Sequence, residues 1–394
     1  MDNLLEYLDY DLTELILLGV FAIAFTIEIF FCLYYYKALL RFSKKQPESE
    51  QTHVNPQPSV SVIIVSSNEV EHLEKTLPQI LEQDYPDFEV IVVNNGSTDE
   101  TEMLVKSLQN SHSNLYGTYL PMSRDKIFGR KKLAMTIGIK AAKNDILLFT
   151  EPYCRPVSNN WITRMVEKIN GPVSNVAGHS IFYEKPATFS TRRTAFDNLE
   201  YCHQYMSMII RKKPFSATFR NLAMRKNEFF EHKGFASVLN YEDGEELFLN
   251  RFLTGENTIL EIHPDAFVES VLDESENYIW KGYRTEFLKI KSHFGGFSWK
   301  IFGLDAWMKT LLIFIWGGLF LKSILEFHFV VLSVATLLGI FLFIFQMLTA
   351  NQTARLLRSG KFILSWPLLV LTQPFRNFYL RRRKNKTRKT IGNF

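Results

Sequence analysis

Residues 15–36, LILLGVFAIAFTIEIFFCLYYY, form an apolar run that is long enough to cross a hydrocarbon core of roughly 30 Å as a helix. The run is too long, and its leading flank too acidic, for a cleaved signal peptide. The charged residues that precede this run are all acidic, namely Asp2, Glu6, Asp9, Asp11 and Glu14. The charged residues that follow it directly are basic, namely Lys37, Arg41, Lys44 and Lys45. The positive-inside rule therefore predicts an outer N-terminus at 1–14, a transmembrane helix at 15–36 and a cytoplasmic linker at 37–57.

Two further apolar stretches, about 306–321 and 329–350, are separated by Lys322, Glu326 and His328. This spacing predicts a membrane hairpin with a short outer turn, preceded by an interfacial segment, so that both occupy 299–350. The hairpin returns the chain to the inner side. The sequence thus predicts a multi-pass protein of the inner, cytoplasmic membrane, with the lipid bilayer as a partner.

The remaining part, 351–394, combines a short apolar stretch with a basic tail. The stretch Phe362–Phe375 contains Pro367 and Pro374 and is short for a crossing, so we expect an interfacial or re-entrant segment with the C-terminus inside. The rest of the chain has a net negative charge, whereas eight basic residues follow this stretch. They are Arg376, Arg381, Arg382, Arg383, Lys384, Lys386, Arg388 and Lys389. Because the tail adjoins apolar segments and its basic run 381–389 contains no aromatic residue, it predicts contact with anionic lipid and no nucleic-acid partner.

Between the membrane elements the pattern changes to alternating strands and helices. Continuous apolar runs at Val60–Val65, Phe88–Val93 and Ile146–Thr150 are typical of strands buried on both faces. Helical segments are predicted between them, at 69–83, after Ser97 and at 131–143. The β-α-β-α order predicts an α/β domain over 58–298, with a mostly parallel sheet and helices on both faces.

In such sheets, ligands bind beyond the carboxyl ends of the strands. This rule selects three loops: Ser66–Glu69, Asn94–Asp99 and Glu151–Arg155. Asn68 with Glu71, and Ser97 with Glu100, have the spacing of helix-capping boxes. The chain contains neither GxGxxG nor GxxxxGK[ST], which disfavours a dinucleotide oxidoreductase and a P-loop nucleotidase.

The same segments resemble the family 2 glycosyltransferases, which have the GT-A (nucleotide-diphosphosugar transferase-like) fold. The resemblance rests on four blocks in the family's order: PSVSVIIVSSNEVEHLEKTLPQILEQDYPDFEVIVVNNGSTDET, GRKKLAMTIGIKAAKNDILLFTEPYCRP, NLAMRKNEFFEHKGF and EDGEELFLNRF. Transmembrane helices at both ends are similar to those of the branch that acts on lipid-linked or polymeric acceptors. The resemblance implies a nucleotide-sugar donor, a divalent metal on its diphosphate, and a carboxylate base that deprotonates the acceptor.

Carried over residue by residue, the resemblance implies two groups of site residues. The nucleotide-sugar-binding group is Asn68, Glu69, Asn94, Asn95, Asp99, Lys131, Lys132 and Glu151. The catalytic group is Asp243, Glu245 and Glu246.

Four positions depart from the family's pattern. Asn94 and Asn95 stand where the family has paired aspartates, and an amide oxygen still accepts a hydrogen bond from a nucleobase. Gly244 stands where the family has its catalytic aspartate. Mn²⁺ or Mg²⁺ is implied with Glu151 as its ligand, but Tyr153 replaces the expected second carboxylate, and a phenol supplies no anionic oxygen at neutral pH.

Two functions stay open on these residues. The first is an inverting glycosyltransferase of the hexosyltransferase type, which uses a UDP- or GDP-sugar and a lipid-linked or polysaccharide acceptor at the cytoplasmic face. The second is a pseudo-glycosyltransferase that acts as a scaffold or regulatory partner in cell-envelope glycan or lipid assembly, with a protein partner bound through the membrane helices. The altered motifs leave the question of activity undecided between them.

Overall fold

The computed structural model describes residues 11–45, 57–121, 129–183, 185–241 and 244–382. The chain divides into two compact units. The membrane unit comprises 1–41, 299–356 and 361–394, and the globular unit comprises 42–298 and 357–360.

Strands occur only in the globular unit of the described chain, and they form two sheets. The strands are β1 (Val60–Ser66), β2 (Phe88–Asn94), β3 (Leu115–Tyr119), β4 (Ile146–Thr150), β5 (Cys154–Pro156), β6 (Asn175–Ala177), β7 (Ser180–Ile181), β8 (Leu222–Arg225), β9 (Thr258–Leu260) and β10 (Val268–Ser270).

Helices occur in both units. In chain order they are α1 (Leu12–Phe31), α2 (Lys37–Lys45), α3 (Val70–Leu81), α4 (Thr101–Gln109), α5 (Arg130–Ala141), α6 (Trp161–Val166), α7 (Phe189–Ile210), α8 (Lys226–Glu231), α9 (Glu245–Leu249), α10 (Asn277–Ile290), α11 (Ser298–Leu325), α12 (Phe329–Leu356) and α13 (Trp366–Arg382).

The larger sheet has the order β3-β2-β1-β4-β8-β6-β9, and the smaller sheet has the order β5-β10-β7. In the larger sheet β1 pairs in parallel with β2 and β4, β2 with β3, and β6 with β9, whereas β8 runs antiparallel to β4 and β6. The predicted α/β class with a mostly parallel sheet is therefore confirmed. The order reverses between β1 and β4, and a ligand crevice forms at such a switch point, outside the carboxyl ends of the strands.

The central strands and the helix that covers them pack closely. Every residue of β1 is buried, as its continuous apolar run predicts. Helix α5 lies against β1 and β2 at Gly138, where an added Cβ would come within 2.9 Å of Ile63 Cγ2 and 3.0 Å of Val93 Cγ2. The missing side chain allows this approach, which positions the start of α5 near the switch point.

Three helical stretches of the described chain are long and apolar enough to cross a membrane: Leu12–Lys45, Trp299–Leu325 and Phe329–Leu356. They contain the segments that the sequence predicts to cross a membrane, and they indicate a membrane protein. The second and third are joined by the short turn 326–328. Helix α13, with Pro374 inside it, contains residues 366–375 of the apolar stretch predicted to be interfacial.

Ionisable side chains inside the membrane unit have polar partners. Glu28 is fully buried, and its Oε2 accepts a hydrogen bond from Gln346 Nε2 at 2.7 Å. Lys309 Nζ donates to Asp305 Oδ2 at 2.8 Å and to Tyr36 Oη at 2.9 Å. Because apolar surroundings make an unpaired charge costly, these contacts hold the three helices in one arrangement.

Candidate functional site

The loops that follow β1 and β2 are tied together by hydrogen bonds at the carboxyl edge of the sheet. Asn68 adopts a left-handed backbone conformation with φ 57°. Its backbone N–H donates to Ser97 Oγ at 3.0 Å, and its side-chain Oδ1 accepts from the Thr98 N–H at 2.7 Å. Asn68 therefore joins the two loops.

Asp99 lies at the starts of two helices. Its Oδ2 accepts from the Val70 N–H at 3.0 Å, at the start of α3, and its Oδ1 accepts from the Thr101 N–H at 3.2 Å and from the Thr101 hydroxyl. The predicted capping boxes are wrong, because neither α3 nor α4 has a side-chain cap from its own N-cap residue. Asp99 thus accepts one backbone N–H at the start of each helix. A role for Asp99 in binding the sugar donor stays a prediction.

The two asparagines after β2 differ in their hydrogen bonding. Asn94 Oδ1 accepts from the Ser97 N–H at 2.8 Å and shapes the turn. The Asn95 N–H donates to the Ser66 carbonyl at 2.8 Å, so its backbone is held against the end of β1. Its side-chain Oδ1 is buried and has no hydrogen-bond partner among the described residues. A buried acceptor without a partner is suited to a ligand that brings a donor, such as a nucleobase N–H.

Lys131, in the first turn of α5, is the cation at the switch point. Its Nζ lies 2.6 Å from Glu151 Oε1, just beyond the end of β4. Burial alone would lower the pKa of Lys131, but the nearby carboxylates of Glu151 and Glu245 raise it well above its usual value. The adjacent Lys132 is buried and donates to the Tyr241 carbonyl at 2.5 Å, so the two predicted lysines have different partners.

Glu69, at the end of the loop after β1, faces the same cluster. Burial, together with the negative charge of Glu151, raises the pKa of Glu69 to about 7, while the positive charge of Lys131 opposes this shift. The Ser67 N–H donates to Glu69 Oε2 at 3.2 Å. The structure thus brings the predicted residues Glu69, Lys131 and Glu151 together.

Tyr153 occupies the position where the family's motif has its second carboxylate. The side chain is buried, with its ring 6.3 Å from that of His72 and 6.1 Å from that of Phe182, measured between centroids. Burial and the charge of Glu151 raise the pKa of Tyr153 well above its usual value. The phenol is therefore neutral, and it packs as a core aromatic residue.

The acidic segment around Gly244 begins the short helix α9. Gly244 has φ 117°, a conformation that favours glycine, and its N–H donates to Glu245 Oε2 at 3.3 Å. Glu245 Oε1 is buried without a hydrogen-bond partner among the described residues. Burial and the charge of Glu245 raise the pKa of Glu246 to about 7. Asp243, also predicted to be catalytic, lies outside the described residues.

Arg220 is a residue near the site that the sequence did not indicate. It is almost fully buried, and its guanidinium carbon lies 4.7 Å from the ring centroids of Phe182 and Tyr283. Nε donates to Thr218 Oγ1 at 3.0 Å and Nη2 to Asn198 Oδ1 at 3.1 Å. Its positive charge lowers the pKa of Tyr153, against the stronger effect of burial. No local sequence pattern predicts that Arg220 lies at the site, because its aromatic neighbours Phe182 and Tyr283 are far from it in the sequence.

Residues 61–238 match the model of glycosyl transferase family 2. This part of the chain therefore resembles the family 2 glycosyltransferases. The match contains the loops after β1, β2 and β4 and the start of α5, and therefore Asn68, Lys131 and Glu151. It ends before α9, so the acidic segment around Gly244 lies beyond it.

One curated relative and one solved structure are similar to this chain. The glycosyltransferase AglE of Haloferax volcanii is 31% identical over 147 residues, which are 36% of this chain and 46% of the relative. The matching segment thus spans about half of that protein. The mannosyltransferase PcManGT from Pyrobaculum calidifontis, solved with GDP-Man and Mn²⁺, has a TM-score of 0.56 and 18% identity, covering 90% of this chain and 99% of that chain. This likeness establishes a common GT-A-like fold.

The residues described around Glu151 do not form a complete ligand set for a hard cation. Glu151 already pairs with Lys131 at 2.6 Å, and Tyr153 supplies a neutral, buried phenol instead of a carboxylate. Mn²⁺ and Mg²⁺ prefer several anionic or carbonyl oxygens. In the described chain, a group of three acidic or histidine ligand atoms within 4.8 Å of one another occurs in the membrane unit and not beside Glu151.

Proposed function

We propose that the globular unit binds a UDP- or GDP-sugar at the carboxyl edge of the large sheet and transfers the sugar, with inversion, to a lipid-linked or polysaccharide acceptor. The observation that carries this proposal is the meeting of Lys131 with Glu69, Glu151 and Glu245 at the switch point between β1 and β4. Glu69 and Lys131 have pKa values shifted by their surroundings, and such groups at a ligand crevice are typical of catalytic sites.

The described residues suit three parts of the reaction. Asn95 Oδ1 lacks a partner and is suited to accept from the nucleobase. The Lys131 ammonium, which pairs with Glu151 at 2.6 Å, is suited to exchange that carboxylate for the diphosphate of the donor. A divalent metal, where one binds, would add positive charge at the same diphosphate.

Glu246 is suited to act as the general base, because a pKa of about 7 is matched to proton transfer at neutral pH. The carboxylate takes the proton of the acceptor hydroxyl, and the hydroxyl oxygen forms the new bond to the anomeric carbon. The bond from that carbon to the donor's phosphate oxygen breaks, and the nucleoside diphosphate leaves with the electron pair. Glu245 and Asp243 are the alternative bases.

The charge distribution around the first membrane helix supports a cytoplasmic location for this reaction. Acidic residues precede the helix, and Lys37, Arg41, Lys44 and Lys45 follow it. By the positive-inside rule, we place the N-terminus outside and the globular unit and C-terminus inside, at the inner membrane.

A second function, that of a pseudo-glycosyltransferase scaffold, is favoured by Tyr153 and Gly244. Both stand where the family has carboxylates. In addition, Lys131 and Glu151 already pair with each other at 2.6 Å, as the two members of a structural ion pair do. In this case the membrane helices would bind a protein partner of cell-envelope assembly.

Calorimetry with the full-length protein tests the two functions. UDP- and GDP-sugars are titrated with and without Mn²⁺, and release of the nucleoside diphosphate is followed after addition of membrane lipid extract. Binding that is weakened by Lys131→Gln but not by Lys106→Gln, an exposed lysine on α4, supports the transferase. Absence of nucleotide binding under every condition would overturn it and leave the scaffold.

A further inference from the structure

Three side chains with metal-binding atoms meet at one end of the membrane helices. Glu14 lies near the start of α1, and Glu326 and His328 lie in the turn between α11 and α12. One ligand atom from each lies within 4.8 Å of the other two. His328 Nδ1 is 2.7 Å from Glu14 Oε2 and 3.7 Å from Glu326 Oε2. Two ligands of one tetrahedral ion, each about 2.0–2.2 Å from it, lie roughly 3.3–3.6 Å apart, so the 3.7 Å pair is close to this separation and the hydrogen-bonded 2.7 Å pair would lengthen by roughly 0.7 Å.

Glu14 supplies an independent indication of a ligand. Its side chain is fully buried, and only Oε2 has a partner, His328. Oε1 is buried and has no hydrogen-bond partner among the described residues. A buried carboxylate oxygen without a partner is costly, and a bound cation would satisfy it.

The side chains around the cluster carry an excess of negative charge that a divalent cation would balance. Lys322 Nζ donates to Glu326 Oε1 at 2.6 Å and to Asp11 Oδ2 at 2.9 Å, so Glu326 keeps its Oε2 toward His328. The carboxylates of Glu14, Glu326 and Asp11 exceed the single ammonium by two negative charges when the imidazole is neutral. One divalent cation would balance that excess.

We propose that Glu14, Glu326 and His328 form a zinc site that fastens the first membrane helix to the hairpin of the other two. The imidazole nitrogen favours a borderline metal such as Zn²⁺ over Mg²⁺ or Ca²⁺, which prefer oxygen ligands alone. Three protein ligands leave a fourth position for water. Glu326 is 40% exposed, which gives the ion a route from solvent.

The proposal is independent of sugar transfer, since its ligands come only from the membrane unit. Its direct consequence is stability. An ion that binds the folded protein and not the unfolded chain raises the unfolding temperature as its concentration rises above the Kd.

The test uses the full-length protein in detergent micelles, purified without a polyhistidine tag and stripped with a chelator. ZnCl₂ is titrated by calorimetry, with MgCl₂ as the comparison, and bound zinc is counted by mass spectrometry. We expect one zinc ion per chain at this site. Glu14→Gln and His328→Gln are each expected to weaken its binding by roughly 100-fold or more, because even groups that only support ligands contribute about 10- to 100-fold.

Two control variants separate this site from other acidic groups. Glu151→Gln removes the carboxylate near the end of β4, and Glu102→Gln removes an exposed carboxylate of α4; both are expected to keep the zinc affinity of the unmodified protein. If Glu14→Gln lowers the yield of folded protein, His328→Gln is used as the only test variant. The imidazole of His328 is 13% exposed, and glutamine keeps a polar side chain at this position.

The variant Lys322→Gln distinguishes a metal-binding site from a cluster that is held only by ion pairs. Removing the ammonium frees Glu326 Oε1 and removes a competing positive charge, so zinc binding is expected to tighten. Zinc is expected to raise the unfolding temperature of the unmodified protein and of Lys322→Gln, but not of His328→Gln. No zinc binding, or equal binding in Glu14→Gln, His328→Gln and the unmodified protein, would overturn the proposal and leave a hydrogen-bonded latch.

Discussion

Replacing Glu246 by glutamine is expected to stabilise the protein at alkaline pH while abolishing transfer. Glu246 is 7% exposed, and burial together with the charge of Glu245 raises its pKa from 4.5 to about 7. The folded protein therefore holds this proton more tightly than the unfolded chain does. Stability from this group is greatest below about pH 4.5 and is lost as the pH rises through about 7.

The size of the effect follows from the shift. A difference of one pKa unit corresponds to about 1.4 kcal/mol, so a rise of roughly 2.5 units corresponds to about 3 kcal/mol of stability lost above pH 7. Glutamine has nearly the same shape and does not ionise, so Glu246→Gln avoids this loss. The gain of the variant over the unmodified protein should be about 2 to 3 kcal/mol larger at pH 8.5 than at pH 5.

Thermal unfolding of the full-length protein in detergent measures this difference, followed by intrinsic fluorescence at pH 5 and pH 8.5. For a domain of this size, about 1 kcal/mol shifts the midpoint by roughly 2 to 4 °C, so the pH-dependent gain should be roughly 5 to 10 °C. Glu102→Gln, which changes an exposed carboxylate of α4, is the matched control and should show no such gain.

A second variant checks the stated cause. Glu245→Gln removes the neighbouring negative charge and should lower the pKa of Glu246, which moves the loss of stability to lower pH relative to the unmodified protein. A gain in Glu246→Gln that is the same at both pH values would refute the reasoning, since an uncharged buried carboxyl and an amide would then be equivalent across the range.

Three further changes have defined outcomes. Asp99→Ala removes the acceptor at the starts of α3 and α4 and should cost about 1 to 2 kcal/mol in chemical unfolding, whereas Asp99→Asn should keep part of it. Gly138→Ala places a Cβ 2.9 Å from Ile63 Cγ2 and 3.0 Å from Val93 Cγ2 and should cost about 1 to 3 kcal/mol; an unchanged unfolding midpoint would contradict this packing. Lys131→Gln should weaken nucleotide-sugar binding by roughly 10- to 100-fold in calorimetry, with Lys131→Arg less affected, because hydrogen bonds to charged groups contribute about 1.5 to 3 kcal/mol.

The sheet and the three long apolar helices were predictable because both depend on local apolar patterns. A continuous run such as Val60–Val65 is consistent with a strand only where both faces are covered, and the structure has all of β1 buried. The order of strands and helices also located the loops after β1, β2 and β4. Glu69 and Glu151 could therefore be placed at one edge of the sheet before the structure was known, whereas Lys131 was assigned to the site through the family resemblance.

The capping of α3 could not be predicted in the same way. A capping box is a local pattern, but the acceptor for the Val70 N–H is Asp99, which lies on the loop after the next strand. The backbone of Asn68 turns into the left-handed region, and its side chain bonds Thr98 instead. Competition between two neighbouring loops decided which oxygen bonds which N–H.

The sequence by itself determined that the chain has helices long and apolar enough to cross a membrane and a segment that resembles family 2 glycosyltransferases with altered carboxylate positions, because apolar runs and motif spacings are properties of contiguous residues. Only the tertiary structure decided how those altered positions are filled. It pairs Lys131 with Glu151, buries Tyr153 as a neutral ring, and brings Glu14 to His328 from the far end of the chain. Polar pairing depends on distances of a few ångströms between remote segments, and no local pattern encodes those distances.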